Sequence, residues 1–138
     1  MGFSVDAAPW VGALARVELT VSDADTAQSL GSGDVPVLGT PKLLALAEAA
    51  TVGALVRRLP AGWTTVGTRV ELEHRAATPI GGRVTVEARL AKADGRKLVF
   101  ELIARDGRQV IAEGRVERMI VDRHRFLEKA QEQPPAAS

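Results

Sequence analysis

Apolar and polar residues alternate over residues 15–21 (ARVELTV), which predicts a short strand with Val17, Leu19 and Val21 on one face. After a break at Pro60-Ala61-Gly62, longer alternating runs occupy roughly 64–74, 83–91, 97–105 and 109–121. Asp94-Gly95 and Asp106-Gly107 separate the last three runs. Asp-Gly between alternating segments is the strongest short hairpin signal, so these three strands form an antiparallel meander. Thr78-Pro79-Ile80-Gly81-Gly82 makes a looser turn before them.

Between the first strand and the break lies a helix pattern. Thr40-Pro41 opens it, with Thr40 as N-cap and Pro41 at the first helical position, and it runs to about Leu59. At about 100° per residue, Leu43, Leu44, Leu46, Val52, Leu55 and Val56, with alanines between them, cover nearly the whole circumference. That is the pattern of a buried helix. Residues 22–39 are rich in Asp, Ser, Gly and Pro, and Gly31-Ser32-Gly33-Asp34 reads as a flexible loop suited to a lid at a site entrance. Residues 122–133 add a short helical turn, and 134–138 a frayed tail. The reading is one domain over 1–133 with a tail at 134–138. One long buried helix wrapped by about five antiparallel strands is an α+β layout, and it matches the hotdog fold. One small sheet cannot cover so apolar a helix, and a strand edge is left over, so a homodimer is expected.

Composition narrows the function. The 138 residues suit a single core, and 46% hydrophobic with 25% charged residues is an ordinary globular mix. Eighteen Lys and Arg against 17 Asp and Glu leave +1, too little for non-specific phosphate binding, so nucleic acid is not an expected partner. The chain has no Cys, which removes thiolate metal sites, disulfides and cysteine nucleophiles, and its two His argue against a histidine-rich metal site. No basic start and long apolar run open the chain, so the expected location is the cytoplasm, with no membrane partner.

A few residues break the apolar pattern. Glu48 lies on the helix at about the angle of Leu44, Leu55 and Leu59; a carboxylate among aliphatic groups needs a donor or a cation, or else exits to solvent. In the run 66–74, strict alternation puts Val66, Thr68, Val70, Leu72 and His74 on one face and Gly67, Arg69, Glu71 and Glu73 on the other. His74 thus points with the core set. Arg118 falls in register with Val110, Ala112, Gly114, Val116 and Ile120 and also faces inward, as a structural ion pair or as a group that orients an acid. Thr40 is most simply a cap, but a hydroxyl at a helix start also sits by N–H groups able to hold a developing oxyanion. His124, within Asp122-Arg123-His124-Arg125, reads as solvated surface with no role.

Together these residues resemble the hotdog thioesterases of the fluoroacetyl-CoA thioesterase type. The matching pieces are Thr40, Glu48 eight residues later, Val66-Gly67-Thr68 leading into His74-Arg75-Ala76-Ala77-Thr78-Pro79, then Asp94-Gly95-Arg96, Gly114 and Glu117-Arg118. The resemblance implies Thr40, Glu48 and His74 as catalytic groups, Gly67 as backbone near the thioester and Arg118 as support for the site. It also implies an acyl-CoA substrate, with coenzyme A as part of that substrate and no metal or separate cofactor. Glu48 would either attack the carbonyl or orient His74 or water, and His74 would act as base. Where the family enzyme carries phenylalanines in its lid, this chain has Gly31 to Asp34, so little selectivity for a fluorinated acyl group is expected. The alternatives are a non-catalytic acyl-CoA binding module on the same fold and, lower, a hotdog enoyl-CoA hydratase.

Overall fold

The computed structural model describes residues 5–107 and 109–132; the tail expected at 134–138 lies outside them. Five antiparallel strands, β1 (Leu14–Thr20), β2 (Trp63–His74), β3 (Arg83–Asp94), β4 (Lys97–Asp106) and β5 (Gln109–Asp122), form one sheet in the order β1-β3-β4-β5-β2. The meander β3-β4-β5 is present, and both hairpin turns use a left-handed glycine, Gly95 at φ 58° and Gly107 at φ 57°. The first and second strands take the two edges.

Helix α1 (Ala27–Leu30) is short, α2 (Thr40–Ala54) crosses the inner face of the sheet, and α3 (Arg123–Gln131) follows β5. The core is aliphatic around one aromatic ring: Leu43, Ala47 and Ala50 of α2 meet Val84, Val86, Leu90, Leu98, Phe100, Val116 and Ile120 of the sheet. This is the expected layout of a sheet around one helix. The expectation of a helix to Leu59, buried on every side, is corrected. α2 ends at Ala54, and only Leu43, Ala47, Ala50, Thr51 and Ala54 are buried within it. Val52 and Val56 stay 49% and 61% exposed, because a single five-stranded sheet reaches one side of the cylinder only.

Two further expectations change. Thr40 is not the cap: Gly39 holds the N-cap position, Pro41 is within the first turn, and no side chain caps the helix. A Cβ on residue 39 would stand 3.0 Å from Leu30 Cδ1 and 3.1 Å from the Ala27 backbone, so only glycine lets α2 start this close to α1. In β2, the partners of Gly67 and Arg69 are Arg118 and Glu117, consecutive residues of β5, so Thr68 is an extra residue in a bulge. The bulge moves Val66 and Thr68 off the face of Val70, Leu72 and His74. It puts Thr65 and Gly67 on that face instead, opposite Ile120 and Arg118.

Candidate active site

The segment 22–39 is built rather than loose. The buried Asp25 accepts hydrogen bonds from Ser22 N (2.8 Å) and Ser22 Oγ (2.9 Å) and faces Lys42 Nζ at 3.6 Å. The backbone N–H of Ser22 is the largest influence holding its carboxyl below the usual range; burial opposes it, and the Ser22 hydroxyl and Lys42 reinforce it. Backbone bonds from Leu38 N to Thr78 O (2.8 Å) and from Gly39 N to Asp25 O (2.9 Å) fix the segment to the turn before β3 and to the start of α2. Residues 28–36 are exposed throughout, while Asp25, Thr26, Ala27, Leu38 and Gly39 are buried. Ser32, Gly33, Val35 and Val37 of this segment wall a cavity of about 270 Å³ whose other side carries Thr40, His74 and Ala76. The expected lid segment thus borders the candidate residues. A roomier recess of about 570 Å³, among Arg16, Glu18, Arg83 and Arg105, lies on the outer face of the sheet and touches none of them.

With the capping position taken by Gly39, the Thr40 hydroxyl is available to another group, and it lies 2.8 Å from His74 Nδ1. His74 ends β2 and is partly buried. Burial pushes its pKa below the usual histidine value, against an opposing hydrogen bond with the Ala76 backbone, so the ring is neutral at pH 7. Its other nitrogen, Nε2, is buried and has no hydrogen-bond partner among the described residues. Buried polar atoms rarely go unpaired, so this one marks a place where a group from outside the chain belongs.

Glu48 sits two turns further along α2, at the border of its covered side, and its side chain is 39% exposed. Of the alternatives its position left open, a cation holds it, with part of the carboxylate still reaching solvent. Arg118 Nη1 lies 3.3 Å from Glu48 Oε2, and the guanidinium, 8% exposed, is clamped from behind by Thr65, through Oγ1 to Nε at 2.9 Å and O to Nη2 at 3.1 Å. Burial works against the Arg118 charge and Glu48 works for it. Gly67 completes the group, because a Cβ there would collide with Glu48 Oε2. Strict alternation had turned Gly67 outward; the bulge brings it in. Thr65 was not singled out in the sequence, since nothing but the bulge reveals that it shares a face with Gly67.

Five residues thus form two clusters, Thr40 with His74 and Glu48 with Arg118 and Gly67; no hydrogen bond among the described residues joins them. His124 is where it was expected, exposed on α3 beside Glu128.

Comparison with known proteins places this geometry. The fluoroacetyl-CoA-specific thioesterase family, FlK, matches residues 21–124. The structure of the fluoroacetyl-CoA thioesterase FlK is 31% identical over 91% of this chain and 97% of that one, with a TM-score of 0.84. A variant of that enzyme solved in complex with acetyl-CoA is 30% identical over 91% and 98%, with a TM-score of 0.85. A thioesterase superfamily member from Thermus thermophilus is 27% identical over 88% and 90%, with a TM-score of 0.82. A hot-dog-like protein from Thermanaerovibrio acidaminovorans, 24% identical over 96% and 100% with a TM-score of 0.87, shares the fold. No curated protein matches the chain in sequence. Among the described residues no helix is long and apolar enough to cross a membrane. With three quarters of its length matched and a hotdog sheet around its helix, the chain belongs to the FlK family of thioesterases and is a thioester hydrolase.

Proposed function

We propose that the chain hydrolyses acyl-CoA at a site completed by a second copy of itself. The observation that carries this reading is the division of the site into two clusters. Thr40 and Glu48 stand eight helical residues apart, about 12 Å along the axis, whereas a reacting carbonyl must lie about 3–3.5 Å from the groups that act on it. Thr40 pairs with the end of β2 and Glu48 with its middle, so helix and strand run in opposite directions past each other. A two-fold axis near Leu44 and Val70 sets Thr40 and His74 of one copy against Glu48, Gly67 and Arg118 of the other. The uncovered face of α2, with Ala45, Ala49 and Val52, the free edge of β2, and the unpaired His74 Nε2 all support this arrangement.

The chemistry follows from the groups brought together. With its proton on Nδ1, His74 donates to Thr40 Oγ1, which leaves the Thr40 O–H to point at the carbonyl oxygen and Nε2 free to act as base. When water adds to the carbonyl carbon, His74 takes its proton, the C–S bond breaks, and the leaving thiolate receives that proton. When Glu48 itself adds, the C–S bond breaks to give a mixed anhydride and the thiolate; His74 then takes a proton from the one water that cleaves the anhydride and passes it to the thiolate. The products are a carboxylic acid and coenzyme A, with water as the other reactant and no further cofactor. Arg118 holds Glu48 in place. The small residues Ser32 and Gly33 at the cavity wall build no dry aromatic gate, which supports a broad acyl range rather than a fluoroacetyl preference.

Thiol release from a panel of acyl-CoA esters, lost in Glu48→Ala, tests the activity; a binding module would release none. Co-expressing Glu48→Ala with His74→Ala tests the shared site. Half of the dimers are mixed, and each holds one intact site, so about a quarter of wild-type activity returns. No recovery in mixed dimers overturns the two-copy site.

A further inference from the structure

Among the described residues only two charged side chains are buried, Arg118 and Asp25. Arg118 serves the carboxylate cluster. Asp25 lies beside the other cluster, and the reaction described above gives it no task. A buried carboxylate is costly unless it is paired and hydrogen-bonded. Its bonds to Ser22 N and Oγ close a tight turn, but a turn of that kind forms equally well with its acid in water, so the turn alone does not account for the burial.

Burial brings Asp25 against the start of α2, which it grips on both sides of Thr40. Its backbone oxygen accepts from Gly39 N at 2.9 Å, and its Oδ1 faces Lys42 Nζ at 3.6 Å. The helix has little else to hold it there. No side chain caps it, Pro41 has no N–H to offer, and the Thr40 hydroxyl is spent on His74. Lys42 is also misplaced by itself, because a cation in the first turn meets the positive end of the helix dipole; the Asp25 carboxylate offsets this.

Asp25 is in turn fixed to the sheet. Val21, next to Ser22, donates to Gly82 O at 2.9 Å and accepts from Gly81 N at 2.8 Å, in the turn before β3. That turn follows His74 in the chain, and its Thr78 donates to Asp106 Oδ2 at 3.0 Å. The start of α2 and the end of β2 are thereby referred to one frame.

We infer that Asp25, with Lys42, is a positioning residue that holds the first turn of α2 where the Thr40 hydroxyl meets His74 Nδ1. The inference rests on the roles proposed for Thr40 and His74. Their contact is 2.8 Å, so a slip of the helix start by about 1 Å takes it out of hydrogen-bond range and frees the His74 proton to change nitrogens.

The test compares Asp25→Asn, Lys42→Met and Lys42→Arg, each alone and with Thr40→Ala. Lys42→Met leaves the Ser22 turn untouched and decides the matter if Asp25→Asn does not fold. Turnover of acyl-CoA should lose about tenfold in kcat in Asp25→Asn and about fivefold in Lys42→Met, with KM within about twofold, and Lys42→Arg should restore most of the rate. In the Thr40→Ala background the same changes should cost less than about twofold, since the group they position is gone. The imidazole ¹⁵N signals of His74, told from those of His124 by His74→Ala, should move in Asp25→Asn and Lys42→Met toward their positions in Thr40→Ala. A folded Lys42→Met protein with wild-type kcat overturns the inference. So does a loss of equal size in the Thr40→Ala background, or a loss that leaves the His74 signals in place. If the signals move as expected while the wild type hydrolyses no thioester, the positioning role stands and the hydrolytic reading falls.

Discussion

Gly67→Ala tests how the carboxylate is placed. The added methyl would collide with Glu48 Oε2, so the carboxylate must swing away and give up its 3.3 Å contact with Arg118 Nη1. A hydrogen bond between charged groups contributes about 1.5–3 kcal/mol, and the 39% exposure of Glu48 puts the loss at the lower end because water replaces part of it. A displacement of about 1 Å at a reacting group costs on the order of 10²-fold in rate, so the kinetic effect exceeds the effect on stability. The backbone at 67 is not in the left-handed region, and alanine in a strand is if anything easier than glycine, so the fold survives. The expected outcome is a fall in kcat/KM of about 10²-fold with a melting temperature within a few degrees of wild type, read by thiol release and circular dichroism. A folded Gly67→Ala protein with kcat/KM within about threefold of wild type would show that the position of Glu48 is immaterial, and the reasoning would fail.

Because burial lowers the His74 pKa, the acid limb of kcat/KM should fall below pH 6.5, and His74→Ala should remove that limb and about 10² or more of the rate; a limb above 6.5 contradicts the assignment. The same shift makes the unfolded chain bind the extra proton, so the His74 contribution to stability is full above pH 6.5 and lost as pH falls toward the lower folded value, which melting curves of wild type and His74→Ala should separate. Thr40→Ala should leave the melting temperature unchanged, since Gly39 is the cap, and lower kcat/KM by about 10- to 10²-fold; a drop in stability with full turnover would reverse that reading. Fluoroacetyl-CoA and acetyl-CoA should differ by roughly tenfold at most, within what a small apolar pocket can discriminate, and a preference of several thousandfold would refute it.

Much of this architecture is legible in the chain because each strand alternates between a wet and a dry side and each hairpin carries Asp-Gly at its turn. Glu48, His74 and Arg118 stand out for the same reason, as polar groups in apolar registers. What alternation cannot show is where its own period breaks. The bulge at Thr68 therefore hid the inward side of Gly67 and Thr65 until the partners across β5 were seen. The burial of α2 departs from the pattern for a different cause: an apolar circumference suggests cover on every side, whereas one five-stranded sheet covers one side and leaves Val52 and Val56 exposed. The link from Asp25 to the start of α2 runs through the Gly39 N–H and Lys42, fourteen and seventeen residues away, which local composition does not reveal.

The bulge also supplies a counting rule. Gly67 and His74 lie seven positions apart, an odd interval, yet point the same way. On a regular strand an odd interval turns two side chains to opposite sides. A related chain that keeps this odd spacing must carry one looped-out residue in between, of almost any type, whereas one with an even spacing needs none. Removing Thr68 alone would shorten the interval to six and straighten the strand, leaving glycine and histidine still on one face, whereas regular pairing at the full length would set them back to back across the sheet.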